Sequence, residues 1–179
     1  MSFDHKAFIF DYDRFEIELK TILENAIDTD RCQSLENYIA VNLDWLRDPD
    51  EGEQLSEGWK KLFDVRADPF QYGDFALTRF YDPTEDIGLG HNWSELDNLL
   101  LAELQDSSCL RGLPLGKDGN YFDPGKMGSY FQSLSLAIYN ISIITGIIDS
   151  QPAYSQIIQP AIDMYERVIF VKKGLYITF

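Results

Sequence analysis

The strongest constraint on the fold comes from residues 131–148, where Phe131, Leu134, Ala137, Ile138, Ile141, Ile144 and Ile148 keep helical spacing in a segment apolar nearly all round. A helix of that kind has little solvent face and is expected at the centre of the fold. Its apolar run, 134–148, is interrupted by Ser135, Asn140, Ser142 and Thr145. It is shorter than the roughly 18–20 residues needed to cross a bilayer, so no membrane contact is expected. A chain of 179 residues with 45% hydrophobic and 14% aromatic content can bury one sizeable core, and a single domain over 1–179 follows.

Around that helix the periodicity predicts others. Phe15, Leu19, Ile22, Leu23 and Ala26 give a helix over 12–27 with Asp11 or Asp13 as its cap, and Leu35, Tyr38, Ile39, Leu43 and Leu46 give a second over 35–47 that stops before Asp48-Pro49. Each has one apolar and one acidic face. Leu55, Trp59, Leu62 and Phe63 mark a third, short helix. Pro69 sits at a plausible first helical position ahead of an aromatic-rich run over 70–81 whose secondary structure is ambiguous. Trp93, Leu96, Leu99, Leu100 and Leu104 predict a helix opening near Asn92.

Residues 105–128 are dense in turn formers, and Asp118-Gly119 suits a small β hairpin near 113–122. The last helix, about 153–172, holds Pro160 inside it and ends on Lys172, Lys173 and Gly174, a basic turn with a residue free to take positive φ. A short C-terminal strand over 175–179 completes the pattern. The expected fold is mainly α: a compact single-domain bundle of about six helices with a turn-rich insertion. It divides into an acidic helical part (1–107), the turn-rich segment (105–128) and apolar core helices (129–173).

Charge is distributed unevenly. Residues 1–107 carry 25 Asp/Glu against 9 Lys/Arg, while 108–179 carry 5 against 6, so nearly all of the net −15 lies in the first three-fifths. Such a field repels nucleic acid, whose binding depends on phosphate contacts, and draws in cationic surfaces. Arg111, Lys117 and Lys126 form the one local basic cluster, flanked by Tyr121, Phe122, Tyr130 and Phe131. Exposed-surface solubility accounts for that cluster better than anion binding. The N-terminus lacks the basic flank and long apolar core of a secretion signal, so a cytoplasmic location is expected. Cys32 and Cys109, 77 positions apart, fit neither a disulfide framework nor a zinc pattern and read as small buried residues.

Two segments stand out as candidate sites. The acidic link carries Asp48, Asp50, Glu51, Glu53 and Glu57. An EF-hand reading fails because Gly52 stands where the third oxygen ligand belongs, leaving a solvated connection or a surface for a basic partner. The loop over 82–93 gathers Asp82, Glu85, Asp86, His91 and Trp93 around Gly88 and Gly90. Three carboxylates and an imidazole could hold a divalent ion, but the spacing matches no metal motif, and turn, capping and core roles explain these residues better. No nucleophile motif or phosphate cradle is present, so neither a cofactor nor a metal is expected, and the chain leans away from catalysis.

The function expected is therefore protein interaction, with the acidic face docking a basic protein by electrostatic steering. One concrete version is an immunity-type inhibitor that occludes the substrate groove of a cationic toxin. The alternatives are a small-molecule or metal-dependent enzyme built on the 82–93 loop, and an oligomeric scaffold, a homo-oligomer, kept soluble by its charge.

Overall fold

The computed structural model describes residues 4–62, 68–117 and 119–179. Along them run β1 (Lys6–Phe10), α1 (Tyr12–Glu18), α2 (Lys20–Thr29), α3 (Gln33–Asn42), α4 (Pro69–Leu77), α5 (Trp93–Leu104), β2 (Gly116–Lys117), β3 (Asn120–Tyr121), β4 (Ser129–Gln132), α6 (Leu134–Ser150), α7 (Ser155–Phe170) and β5 (Gly174–Thr178). Single 3-10 turns lie at Leu43–Trp45, Trp59–Leu62, Ser108–Leu110 and Pro152–Tyr154.

β5 runs antiparallel between β1 and β4, pairing Tyr176 with Phe8 on one side and with Phe131 on the other. Successive strand residues face opposite sides, and here both sides are apolar. Phe8, Phe10, Phe131 and Tyr176 join Phe15, Leu23, Leu35, Ile39 and Phe75 from α1–α4. Ala7, Leu175 and Ile177 join Leu96 and Leu100 of α5, Ala137 and Ile144 of α6, and Ile158 and Tyr165 of α7. The sheet thus lies between two helical layers. Aromatic contacts seal the first face: Phe15 stacks parallel on Phe131 at 5.4 Å between centroids, and Phe131 stacks on Tyr176 at 5.1 Å.

Seven α-helices and a few short antiparallel strands, among the described residues, make a mixed α/β architecture rather than the expected helical bundle. The reason lies in strand length and cover. β1 and β5 are five residues long and buried on both faces, so neither shows the apolar–polar alternation that announces a strand. The C-terminal strand is present but begins at Gly174 and is the middle of the sheet. Phe131, read as helical, belongs to β4.

The apolar helix is also placed differently from expectation. α6 starts at Leu134, with the Ser133 hydroxyl accepting from the Leu136 amide at 3.3 Å. It packs on the sheet and α7 with Ile138 48% and Tyr139 62% exposed. The central element is β5, whose residues 174–177 are all buried.

Other expectations shift in detail. The helix over 12–27 is two helices, α1 and α2, joined at the fully buried Leu19 with φ −125°. Asp11 provides no side-chain cap; its carboxylate pairs with Lys173 at 2.6 Å. Asp68 does cap α4, accepting from the Phe70 and Gln71 amides at 3.0 and 2.9 Å in a full capping box, and Pro69 occupies the first turn. The hairpin shrinks to two residues per strand, pairing Gly116 with Tyr121 and Lys117 with Asn120; Leu113 pairs instead with Phe131. Asp118 of its predicted turn and Phe63 of the short third helix lie outside the described residues.

At the end of α7 the positive φ falls on Lys172 (55°). Gly174 is needed for another reason: a Cβ there would stand 2.2 Å from the Gln132 carbonyl oxygen. Cys109 is buried and Cys32 only partly so. Among the described residues no helix is long and apolar enough to cross a membrane.

Candidate functional site

The acidic link folds as an ordered turn. The Leu55 amide donates to the Leu46 carbonyl at 2.9 Å and the Asp48 amide to the Glu53 carbonyl at 2.8 Å, so two chain segments close like a short hairpin. Both Leu46 and Leu55 are buried in the core and anchor its ends. Inside the turn, Asp48 Oδ1 accepts from the Asp50 and Glu51 amides at 2.9 and 3.1 Å, and Gly52 takes φ +72°. Thr78 ties the base to α4, accepting from the Arg47 amide at 2.9 Å. Asp48 is therefore occupied with backbone, which leaves Asp50, Glu51, Glu53 and Glu57 presented outward.

Beside the turn lies a groove of about 200 Å³ lined by Asp48, Glu51 and Glu53, by the polar Gln54 and Ser56, and by Leu55, Trp59 and Leu62, of which only Leu62 is well exposed. Carboxylates beside an exposed leucine match a lysine or arginine side chain, whose stem is apolar and whose head is cationic. The Trp59 ring already attracts an ammonium: Lys60 Nζ stands 5.6 Å from its centroid while pairing with Glu36 at 2.7 Å. Asp50 and Glu57 do not line the groove. Asp50 and Asp48 instead bear on Asp74 of α4, whose carboxyl is pushed up to about 7, first by burial and then by those two charges.

The 82–93 loop serves a different purpose. It runs along the outer edge of β1, with Ile87 donating to the Ala7 carbonyl at 2.8 Å and His5 bridging Gly90. Asp86 Oδ1 accepts from the Ala7 and Gly88 amides at 3.0 and 2.8 Å. Asp82 accepts from the Thr84 hydroxyl and amide, which hold its carboxyl below the usual range. His91 pairs with Asp4 at the surface, Glu85 is exposed, and Trp93 packs on Phe179 at 4.8 Å. The loop backbone and the Asp86 carboxylate cover a sheet edge that would otherwise display unpaired backbone groups. Among the described residues no group of three or more His, Cys, Asp or Glu side chains converges as a metal would require.

Comparison with known proteins gives no matching family model, no similar curated protein and no similar solved structure.

The remaining candidates resolve individually. His5 is fully buried: Nε2 donates to the Leu110 carbonyl at 2.9 Å and Nδ1 accepts from the Leu89 amide at 3.3 Å. Burial lowers its pKa and keeps it neutral. The basic cluster is dispersed, since Arg111 pairs with Asp97 at 3.1 Å and Lys117 reaches toward Asp28 at 3.9 Å. Phe122 and Phe131, adjacent in sequence to that cluster, are core. The groove went unseen in the sequence because Leu55, Trp59 and Leu62 fit a helical apolar face equally well. The one available signal was Gly52, a positive-φ residue that tightens the turn beside them.

Proposed function

We propose that this chain is a protein-interaction module, a single domain acting in the cytoplasm, whose acidic turn docks a basic protein. A lysine or arginine of the partner lies along the exposed Leu62 with its head against Glu51 and Glu53. The observation that carries this reading is the groove itself: carboxylates on a hydrogen-bonded turn beside the exposed Leu62. That order matters because a backbone already fixed in place loses less freedom on binding. The surrounding net charge of −15 steers a cationic partner in and speeds association. An immunity-type inhibitor of a cationic toxin is one form such a module takes.

The test compares wild type with the triple variant Asp50→Asn, Glu51→Gln, Glu53→Gln, which spares the structural Asp48. Proteins captured from native extract at near-physiological salt are identified by mass spectrometry, and association rates are then measured against ionic strength. A basic protein held by wild type and lost by the variant, with association slowed about tenfold at low salt, is expected. Equal capture with an unchanged salt slope overturns the proposal.

A further inference from the structure

On the opposite side of the sheet, between the end of α5, the 106–113 segment and α6, lies a cavity of about 320 Å³. Its walls are Leu104, Leu113, Leu136, Tyr139 and Ile143, with Asn140 and Cys109 deeper in. Asn140 is only 3% exposed, and its orientation is fixed by the network behind it. Gln132 Nε2 shares its two hydrogens among the Cys109 and Arg111 carbonyls, each at 3.3 Å, and the Tyr165 hydroxyl at 3.1 Å. Gln132 Oε1 must therefore receive a donor, which Asn140 Nδ2 supplies at 3.0 Å. Asn140 also bonds the Tyr165 hydroxyl, but that hydroxyl gives its own proton to the Cys109 carbonyl and so receives from the amide, and no described residue donates to Asn140 Oδ1. A nearly buried amide thus brings a free acceptor to an apolar recess, an arrangement that favours a ligand able to donate.

Charge narrows the class further. Asp106 stands at the rim and stays ionised, because the Ser108 amide and hydroxyl hold its carboxyl below the usual range. Residues 82–107 carry seven Asp/Glu and no Lys or Arg, and Arg111 is engaged by Asp97. Burial pushes the Cys109 thiol up to about 11, so it remains neutral. No lining residue is cationic.

We propose that this cavity binds a small, largely apolar molecule that carries an N–H or O–H donor and no negative charge, with the donor meeting Asn140 Oδ1. Its volume is at the lower end of that of small-molecule pockets, which are mostly apolar with a few placed polar groups. The site is separate from the acidic groove and does not rest on the partner proposed there.

Three probes test it by titration of the isotope-labelled full chain with amide chemical shifts as readout. Indole has an apolar body and one donor, 1-methylindole lacks the donor, and indole-3-acetate keeps it but adds a negative charge. Indole is expected to shift the Gly112, Leu113, Tyr139 and Asn140 amides saturably, with the other two at least about fivefold weaker, the worth of one ordinary hydrogen bond. Leu113→Glu, at a position 63% exposed, should keep the wild-type spectrum elsewhere and weaken indole at least about tenfold. Asn140→Leu should make indole and 1-methylindole equal; should that variant not fold, Leu113→Glu decides the location and the probe pair decides the acceptor. The proposal is overturned by no saturable indole shift at these residues, by equal binding of indole and 1-methylindole to wild type, or by undiminished binding to Leu113→Glu.

Discussion

Asp74 makes folding stability depend on pH, and the direction is fixed by its surroundings. Burial, then the charges of Asp50 and Asp48, push its carboxyl from 3.8 up to about 7. In the unfolded chain it ionises near pH 4. Between about pH 4 and pH 7 the native state therefore holds a proton that the unfolded state has released, and stability falls as pH rises through that window. Above about pH 8 the carboxylate is charged in both states and the loss is complete.

Three pKa units correspond to about 4 kcal/mol, but Asp74 is partly exposed, and solvent screening leaves about 1–2 kcal/mol. Asp74→Asn removes the titration while keeping the size of the protonated acid. Urea unfolding followed by tryptophan fluorescence at constant ionic strength should find the two proteins nearly equal at pH 4. The variant should gain progressively to about pH 7 and be more stable by about 1–2 kcal/mol at pH 8, a midpoint shift of roughly 0.5–1 M. Asp50→Asn should move the wild-type step to lower pH, because it removes the second-largest cause of the shift. A stability gap independent of pH, or a variant less stable than wild type at pH 8, refutes the reasoning.

Two further predictions concern structure. Gly88→Ala places a Cβ 2.2 Å from the His5 carbonyl oxygen and 2.7 Å from the Ala7 amide nitrogen; neither is a side chain that can swing away, so urea unfolding should show a loss of about 1–3 kcal/mol. Asp68→Ala deletes both cap acceptors of α4 and should lose about 1 kcal/mol in the same assay, with Asp68→Ser recovering most of it.

One-sided helical periodicity was the most legible part of the sequence. The leucine stripe from Trp93 announced α5, because one-sided burial is a local property that a short window contains, whereas Pro69 marked a first helical position without settling the structure of the aromatic-rich run behind it. The sheet was not legible. Ala7, Phe8, Ile9 and Phe10 are apolar without a gap because helices cover both faces of β1, and a run of that kind carries no strand period. For the same reason Phe131 merged into the helical pattern that follows it. Its side chain enters the first core while Ala137 and Ile144 enter the second, a division set by pairing with β5 and not by spacing.

The sites were less legible than the fold, and in opposite ways. The acidic residues were conspicuous, but their use depended on the Leu46–Leu55 and Asp48–Glu53 hydrogen bonds, which turn a charged link into a wall beside Trp59. Asn140 was inconspicuous, an interruption in an apolar run, and its significance depends on Gln132 eight positions earlier taking its Nδ2. In both cases the decisive feature is which polar atom the backbone or a neighbour has already occupied: Asp48 is committed, so Glu51 and Glu53 remain for a partner, and Asn140 Nδ2 is committed, so Oδ1 remains for a ligand. Residue type and spacing describe what a side chain can do, whereas the folded hydrogen-bond network determines which of those capacities is left over.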